Sequence, residues 1–160
     1  MRKTKIVCTI GPASSSEEVF AEMCKAGLNV ARLNFSHGTH EEHQQKFDMI
    51  HKVRKALGLP IAIMLDTKGP EYRICTFKNK KILLQDTEIH CRVVVGGELS
   101  DRKSMSFPHK VLEQVYLSER DKDDLLFGIR NGIDFVAASF VSRRQDVLDV
   151  RKFLDAHGGQ

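Results

Sequence analysis

The run Ala31-Arg32-Leu33-Asn34-Phe35-Ser36-His37-Gly38 sets four polar side chains of different chemistry against a glycine. Arg32 carries a planar guanidinium fork that matches phosphate or carboxylate. Asn34 and Ser36 carry oxygens suited to a hard cation, His37 can donate a hydrogen bond, and Gly38 permits a positive φ. An exposed strand alternating in period two is the plainer account, but it does not concentrate these types in one place. Two further clusters share the character: Thr9-Ile10-Gly11-Pro12, and Asp66-Thr67-Lys68-Gly69-Pro70-Glu71 with Arg73. The cations Arg32, Lys68, Arg73 and Lys103, the oxygens of Asn34, Ser36, Asp66 and Thr67, and Gly11 and Gly69 for close backbone approach suit a phosphorylated substrate held beside a metal ion. Phosphoryl transfer depends mainly on such positioning and charge neutralisation. Taken singly, Asp66 also reads as a turn cap, and Lys103, in Asp101-Arg102-Lys103-Ser104, as a solvated loop. No Gly-x-x-x-x-Gly-Lys-Ser/Thr loop is present, which excludes a P-loop kinase.

These clusters need elements to hold them, and the hydrophobic pattern supplies strands alternating with helices. Residues 5–9, 28–33, 60–65 and 134–140 read as short apolar strands. Between them, Ser14 and Ser15 with Glu17 and Glu18, Thr39 with Glu42, Ser118 with Asp121, and Ser142 with Gln145 read as capping boxes opening helices. Gly27, Gly58, Gly132 and Gly158-Gly159 close them. Alternation of this kind implies parallel βαβ units with right-handed crossovers, whose chemistry collects at the carboxyl ends of the strands. Every polar cluster named above follows a strand, as does Ser139 after the fourth. From residue 74 to 116 the pattern turns β-rich, with strands expected at 81–84 and 88–95 and a turn at Gly96-Gly97; this reads as an insertion.

Composition bounds the reading. A chain of 160 residues, 41% hydrophobic, is long enough for one well-buried core. A net charge of +4, spread along the chain, does not point to nucleic acid. Cys8, Cys24, Cys75 and Cys91 lack the close spacing of zinc or redox pairs and read as free thiols. No run approaches a membrane span or a signal-peptide core, so no membrane association and a cytoplasmic location are expected.

Four ordered segments together are similar to the pyruvate kinase family: Lys3-Thr4-Lys5-Ile6-Val7-Cys8-Thr9-Ile10-Gly11-Pro12, Asn29-Val30 through Gly38, Leu65-Asp66 through Glu71 with Arg73, and Asp134-Phe135-Val136-Ala137-Ala138-Ser139-Phe140-Val141. The resemblance implies transfer of a phosphoryl group from phosphoenolpyruvate to ADP, giving pyruvate and ATP in glycolysis, with Mg²⁺ or Mn²⁺ and K⁺ as ions. It places Arg32 and Arg73 at the transferred phosphate and Asn34, Ser36, Asp66 and Thr67 around K⁺. His37, with Asn34, Thr9 and Pro12, would face the nucleotide, and Lys103 would match a lysine reaching in from a lid domain.

The resemblance also implies the fold: parallel (β/α) units of a TIM-type barrel, the first four only, with a truncated β-rich insertion after the third strand. Residues 1–73 and 117–160 would form the partial barrel and 74–116 a remnant of the lid. The family's Lys-Ile-Glu-Asn and Arg-Gly-Asp-Leu-Gly motifs, which carry its catalytic lysine and divalent-metal carboxylates, occur nowhere in the 160 residues. The chain by itself is therefore expected to be inactive. A non-catalytic half-barrel, a phosphate- or nucleotide-binding module, or another phosphate-binding barrel enzyme are the competing accounts. A half-barrel would leave its first or third and its fourth strand as edges and Val7, Val30, Ile63 and Val136 uncovered, so a homo-oligomer is expected.

Overall fold

In the computed structural model, residues 3–74, 103–105 and 115–159 are described. The expected strands at 81–84 and 88–95, the turn at Gly96-Gly97 and the thiols Cys75 and Cys91 lie outside them. The chain divides into two units: Met1–Pro70 with Glu113–Gln160, and Glu71–Leu112.

In the first unit, strands β1 (Val7–Thr9), β2 (Val30–Asn34) and β3 (Ala62–Asp66) alternate with helices α1 (Glu17–Ala26) and α2 (His40–Leu57). The capping boxes set where two of the helices begin. Thr39 accepts the Glu42 N–H while Glu42 Oε2 accepts the Thr39 N–H at 2.9 Å, opening α2, and Gly58 closes it in the left-handed region at φ 62°. Ser118 and Asp121 do the same for a later helix, Glu119–Arg130.

Two expected caps are corrected. Ser16, not Ser14 or Ser15, caps α1 by accepting the Val19 N–H at 3.3 Å. Pro12 starts a short 3-10 turn, Pro12–Ser14, in which Ser14 Oγ accepts from the Gly11 N–H, so the α-helix begins later. At the last helix, Arg144–Ala156, the partner of Ser142 is Asp146 rather than Gln145: the Ser142 and Arg143 N–H groups both donate to Asp146 Oδ2, at 3.0 and 3.1 Å.

The second unit contributes β4 (Tyr72–Arg73) and β5 (Ser104–Met105), a short antiparallel pair. Back in the first unit follow α3 (Glu119–Arg130), β6 (Phe135–Ala137) and α4 (Arg144–Ala156). Strand β6 is shorter than the expected 134–140: it ends at Ala137, and Phe140, at φ 60°, lies outside the extended region.

Strands β1, β2, β3 and β6 form one sheet in that order, every pair parallel. Period-two alternation then sorts its faces. Ala31, Leu33, Ile63 and Leu65 are fully buried and join Phe20, Phe47, Ile50 and Leu125 in the core. Leu65 is so close to α3 that a Cβ on Gly128 would meet its Cδ1 at 2.6 Å. The opposite face carries Val7, Val30, Ala62, Met64 and Phe135 and, toward the carboxyl ends, Thr9, Arg32, Asn34 and Asp66.

This register corrects the expected set of uncovered residues. Ile63 is buried and Val136 packs against the core on the helix side, and Val30 is 7% exposed. The exposed apolar residues of the other face are Val7, at 46%, and Phe135, at 53%, one on each edge strand. Cys8 and Cys24 are free thiols, and burial pushes the Cys24 thiol up. Among the described residues no helix is long and apolar enough to cross a membrane.

Candidate functional site

Strand register brings the polar clusters together. Thr9 of β1 is level with Arg32 of β2, and Asn34 of β2 is level with Asp66 of β3. All four side chains therefore emerge on the open face at the carboxyl ends of adjacent parallel strands. Arg32 spreads its fork between its neighbours: Nη1 donates to Thr9 Oγ1, Nε to Asp66 Oδ2 at 2.8 Å, and Nη2 to that same oxygen. Asp66, 7% exposed, uses its other oxygen to accept from Ser139 Oγ at 2.7 Å. Four consecutive strand ends thus converge on one arginine–carboxylate pair.

The loop from β2 to α2 carries the remaining polar groups. Asn34 Oδ1 accepts the Ser36 N–H at 2.9 Å, an Asx-type turn that bends the chain out of the strand, and the Phe35 N–H donates to the Asp66 carbonyl at 3.0 Å. Gly38 completes the bend at φ 86°. The result is a cleft of about 550 Å³ lined by Thr9, Pro12, Asn34 and His37, the residues expected to face a nucleotide, together with Gly11 and Lys46. Gly11 lines this cleft with no protein atom within 4 Å of where a Cβ would lie.

After β3, Thr67 is pinned to the next strand end. Its N–H donates to the Ala137 carbonyl at 3.1 Å, and its Oγ1 accepts the Ser139 N–H at 3.2 Å. Tyr116 OH donates to the Ser139 carbonyl at 2.7 Å. Burial, with the negative fields of Asp146, Asp121 and Asp66, pushes the phenol up to about 12 against a weaker opposing hydrogen bond with Thr67. Gly69, at φ 62°, donates its N–H to Asp121 Oδ1 at 3.0 Å and passes so near Ser139 that a Cβ would meet the carbonyl oxygen at 2.5 Å.

One carboxylate, Asp66, with the neutral oxygens of Asn34, Ser36 and Thr67, has the chemistry of a monovalent-cation site, since hard oxygen donors of low total charge suit K⁺. The set does not fit a divalent ion: Asp66 is its only carboxylate and is already neutralised by Arg32, and among the described residues no group of three His, Cys, Asp or Glu is placed to hold a metal.

Arg73 and Lys103 belong to the second unit. Arg73 Nε donates to Glu71 Oε2 at 2.7 Å, and the Lys103 carbonyl accepts the Ile74 N–H at 3.0 Å while its side chain stays exposed. The sequence assigns no role to Tyr116, Arg120 or His43: Tyr116 reaches Ser139 and Arg120 reaches Phe35 only across the fold, and the bond of His43 to the His37 carbonyl depends on how the β2–α2 loop turns. Ser139 was legible as a polar strand end, though not as a partner of Asp66.

The sequence profile described as "Pyruvate kinase, barrel domain" matches residues 1–88 and 80–160. Among curated proteins, the chain is 38% identical over 208 residues to a pyruvate kinase of Staphylococcus haemolyticus (strain JCSC1435), covering 97% of this chain. It is 41% identical over 209 residues, covering 98%, to a pyruvate kinase of Staphylococcus saprophyticus subsp. saprophyticus, and 37% identical over 212 residues, covering 99%, to one of Sporosarcina psychrophila. The chain spans about 36% of the length of each of these relatives. The profile matches it from end to end and the relatives cover nearly all of it, so this chain, with its parallel sheet and its arginine–carboxylate pair at the strand ends, belongs to the pyruvate kinase family.

Proposed function

We propose that this chain supplies the phosphate- and nucleotide-facing part of a pyruvate kinase site, for phosphoryl transfer from phosphoenolpyruvate to ADP. The observation that carries the reading is the convergence of Thr9, Arg32, Asp66 and Ser139 at four neighbouring strand ends, beside the cleft lined by Asn34 and His37. Arg32 offers the phosphoryl group a fork already oriented by Asp66 and Thr9, so little rotamer entropy is lost on binding. His37, with Thr9 and Pro12, faces the nucleotide. Arg73 is a second phosphate-binding cation and Lys103 a lid residue. K⁺ would be held by Asn34, Ser36, Asp66 and Thr67; when bound, it adds positive charge beside the transferred phosphate. The family's divalent ion, Mg²⁺ or Mn²⁺, has no fitting ligand set among these residues.

The strand order β1-β2-β3-β6, with each new strand added beside the last and every pair parallel, supports the first half of a TIM-type barrel. Residues 1–73 and 117–160 form that half, and 74–116 are a shortened lid. A shortened insertion is supported by alignments that run over 208 residues of relatives although the chain has 160, and by a profile match in two pieces that meet at 80–88. The exposed apolar residues of the two edge strands support a homo-oligomer, and the reaction is a cytoplasmic one.

Titration of the labelled chain with ADP and with phosphoenolpyruvate tests the reading. Amide shifts are expected at Thr9, Arg32, Asn34 and His37, and Arg32→Lys is expected to weaken phosphoenolpyruvate binding by about tenfold, one charge-assisted contact. A lactate-dehydrogenase-coupled assay of the same chain should show no turnover, because the Lys-Ile-Glu-Asn and Arg-Gly-Asp-Leu-Gly motifs are missing from it. Shifts confined to other surfaces, or an unaffected Arg32→Lys variant, would overturn the assignment.

A further inference from the structure

We propose that His43 is a positioning residue of the nucleotide cleft: its ring N–H holds the His37 carbonyl and so fixes where the β2–α2 loop presents His37 and Asn34 to a bound nucleoside diphosphate. The inference rests on the functional reading above. His43 lies in the first turns of α2, is 1% exposed, and sets Nε2 at 2.9 Å from the His37 carbonyl oxygen. A carbonyl only accepts, so Nε2 carries the proton and Nδ1 bears a bare lone pair. That Nδ1 is buried without a partner. A buried polar atom left unpaired is costly, and an apolar side chain of like volume would fill the same space without that cost. What the imidazole adds is one N–H aimed at the loop.

The surroundings agree with that role. The His43 ring is stacked on Phe35, centroids 3.9 Å apart and planes 7° from parallel. Arg120 Nη2, from α3, donates to the Phe35 carbonyl at 3.0 Å, while the Phe35 N–H donates to the Asp66 carbonyl. The carbonyls on both sides of Ser36 are thus held from behind, one by α3 and one by α2. The Thr39–Glu42 capping box secures the start of the helix but makes no bond to the His37 carbonyl, so His43 performs a task the cap does not. Burial lowers the pKa of the ring, the bond to His37 opposing it, which keeps the ring neutral with a single N–H.

The test uses the ¹⁵N-labelled 160-residue chain and ADP as the probe. His43→Phe keeps the stacking and the volume and removes the donor; His43→Met is a second donor-free variant should the first not fold; His43→Gln restores an N–H at similar reach. Both donor-free variants are expected to bind ADP about five- to tenfold more weakly, the worth of one hydrogen bond, and His43→Gln to recover most of the loss. In the parent, the ring ¹⁵N shifts should show protonated Nε2 and bare Nδ1, and hydrogen exchange of residues 36–38 should be slowed relative to the donor-free variants. Undiminished ADP affinity in His43→Phe or His43→Met, or a ring protonated on Nδ1, overturns the proposal. If the parent does not bind ADP, the functional reading fails instead. The tautomer and the exchange of residues 36–38 then decide whether His43 positions the loop.

Discussion

Arg32 of β2 and Asp66 of β3 are joined across the sheet, Nε to Oδ2 at 2.8 Å with Nη2 on the same oxygen, and Ser139 takes the other carboxylate oxygen at 2.7 Å. Asp66 is nearly buried, so removing its cation leaves a charge the interior does not tolerate. Arg32→Ala and Asp66→Ala should each cost roughly 1.5–3 kcal/mol, and the double variant should cost less than their sum, since the second change removes an already unpaired group. Urea denaturation of the four proteins measures this; strict additivity would show the pair to be uncoupled.

Asp66 is also the single carboxylate in the proposed K⁺ set. Replacing Na⁺ by K⁺ at constant ionic strength should raise the thermal midpoint of the parent, because an ion that binds only the folded state stabilises it by mass action. Asp66→Asn should lose that K⁺ dependence while remaining folded. An equal K⁺ response in both proteins would remove Asp66 from the set.

Gly69 is required by its surroundings. It sits at φ 62°, where a Cβ would meet the Ser139 backbone oxygen at 2.5 Å. Gly132 has a similar φ, 70°, but open space around it. Gly132→Ala should therefore cost only about 1–2 kcal/mol, the ordinary left-handed penalty, and Gly69→Ala distinctly more. Equal melting temperatures for the two variants would show that the loop yields at Ser139.

Acid should weaken the fold through His43. Burial lowers its pKa below the ordinary 6.5; Lys46 and His40 act in the same direction, while the His37 carbonyl and Asp124 oppose. The unfolded chain then takes up the proton first as pH falls, so the stability from neutral His43 is present above about pH 6.5 and is lost progressively below it. Chemical denaturation at pH 7.5 and 5.5 should show a smaller loss in His43→Gln than in the parent. An equal loss would exclude His43 as the titrating group.

Tyr116 acts at the opposite end of the scale. Its phenol, pushed up to about 12, ionises near 10 once the chain unfolds, so stability should fall as pH rises from about 10 toward 12. Tyr116→Phe removes both this dependence and the bond to the Ser139 carbonyl, at a cost of about 1 kcal/mol near neutrality. An alkaline profile identical to the parent's would assign the loss to other groups.

Local rules carried much of this protein. The Thr39–Glu42 and Ser118–Asp121 caps and the closing Gly58 follow from short-range hydrogen bonding and stand where local rules put them, and periodicity locates the four apolar strands though not their ends, β6 stopping at Ala137. The clusters at the strand ends were legible for the same reason, since parallel βαβ units present those ends on one side. Other features depended on lateral relationships that no short window contains. A one-residue change of register would have moved Asp66 away from Asn34 and its carboxylate away from the Arg32 fork, and the face that covers Ile63 while exposing Phe135 is set by the same register. The pairing of Arg32 with Asp66 and the hold of Tyr116 on Ser139 exist because packing brings distant residues within hydrogen-bond reach, and the N–H that His43 turns to the His37 carbonyl exists because the β2–α2 loop folds back over the first turns of its own helix. Sequence by itself determined which groups are available and at which strand ends they stand; the tertiary structure decided which of them are already spoken for by one another, because hydrogen-bond partners are chosen by distance in space and not by distance along the chain.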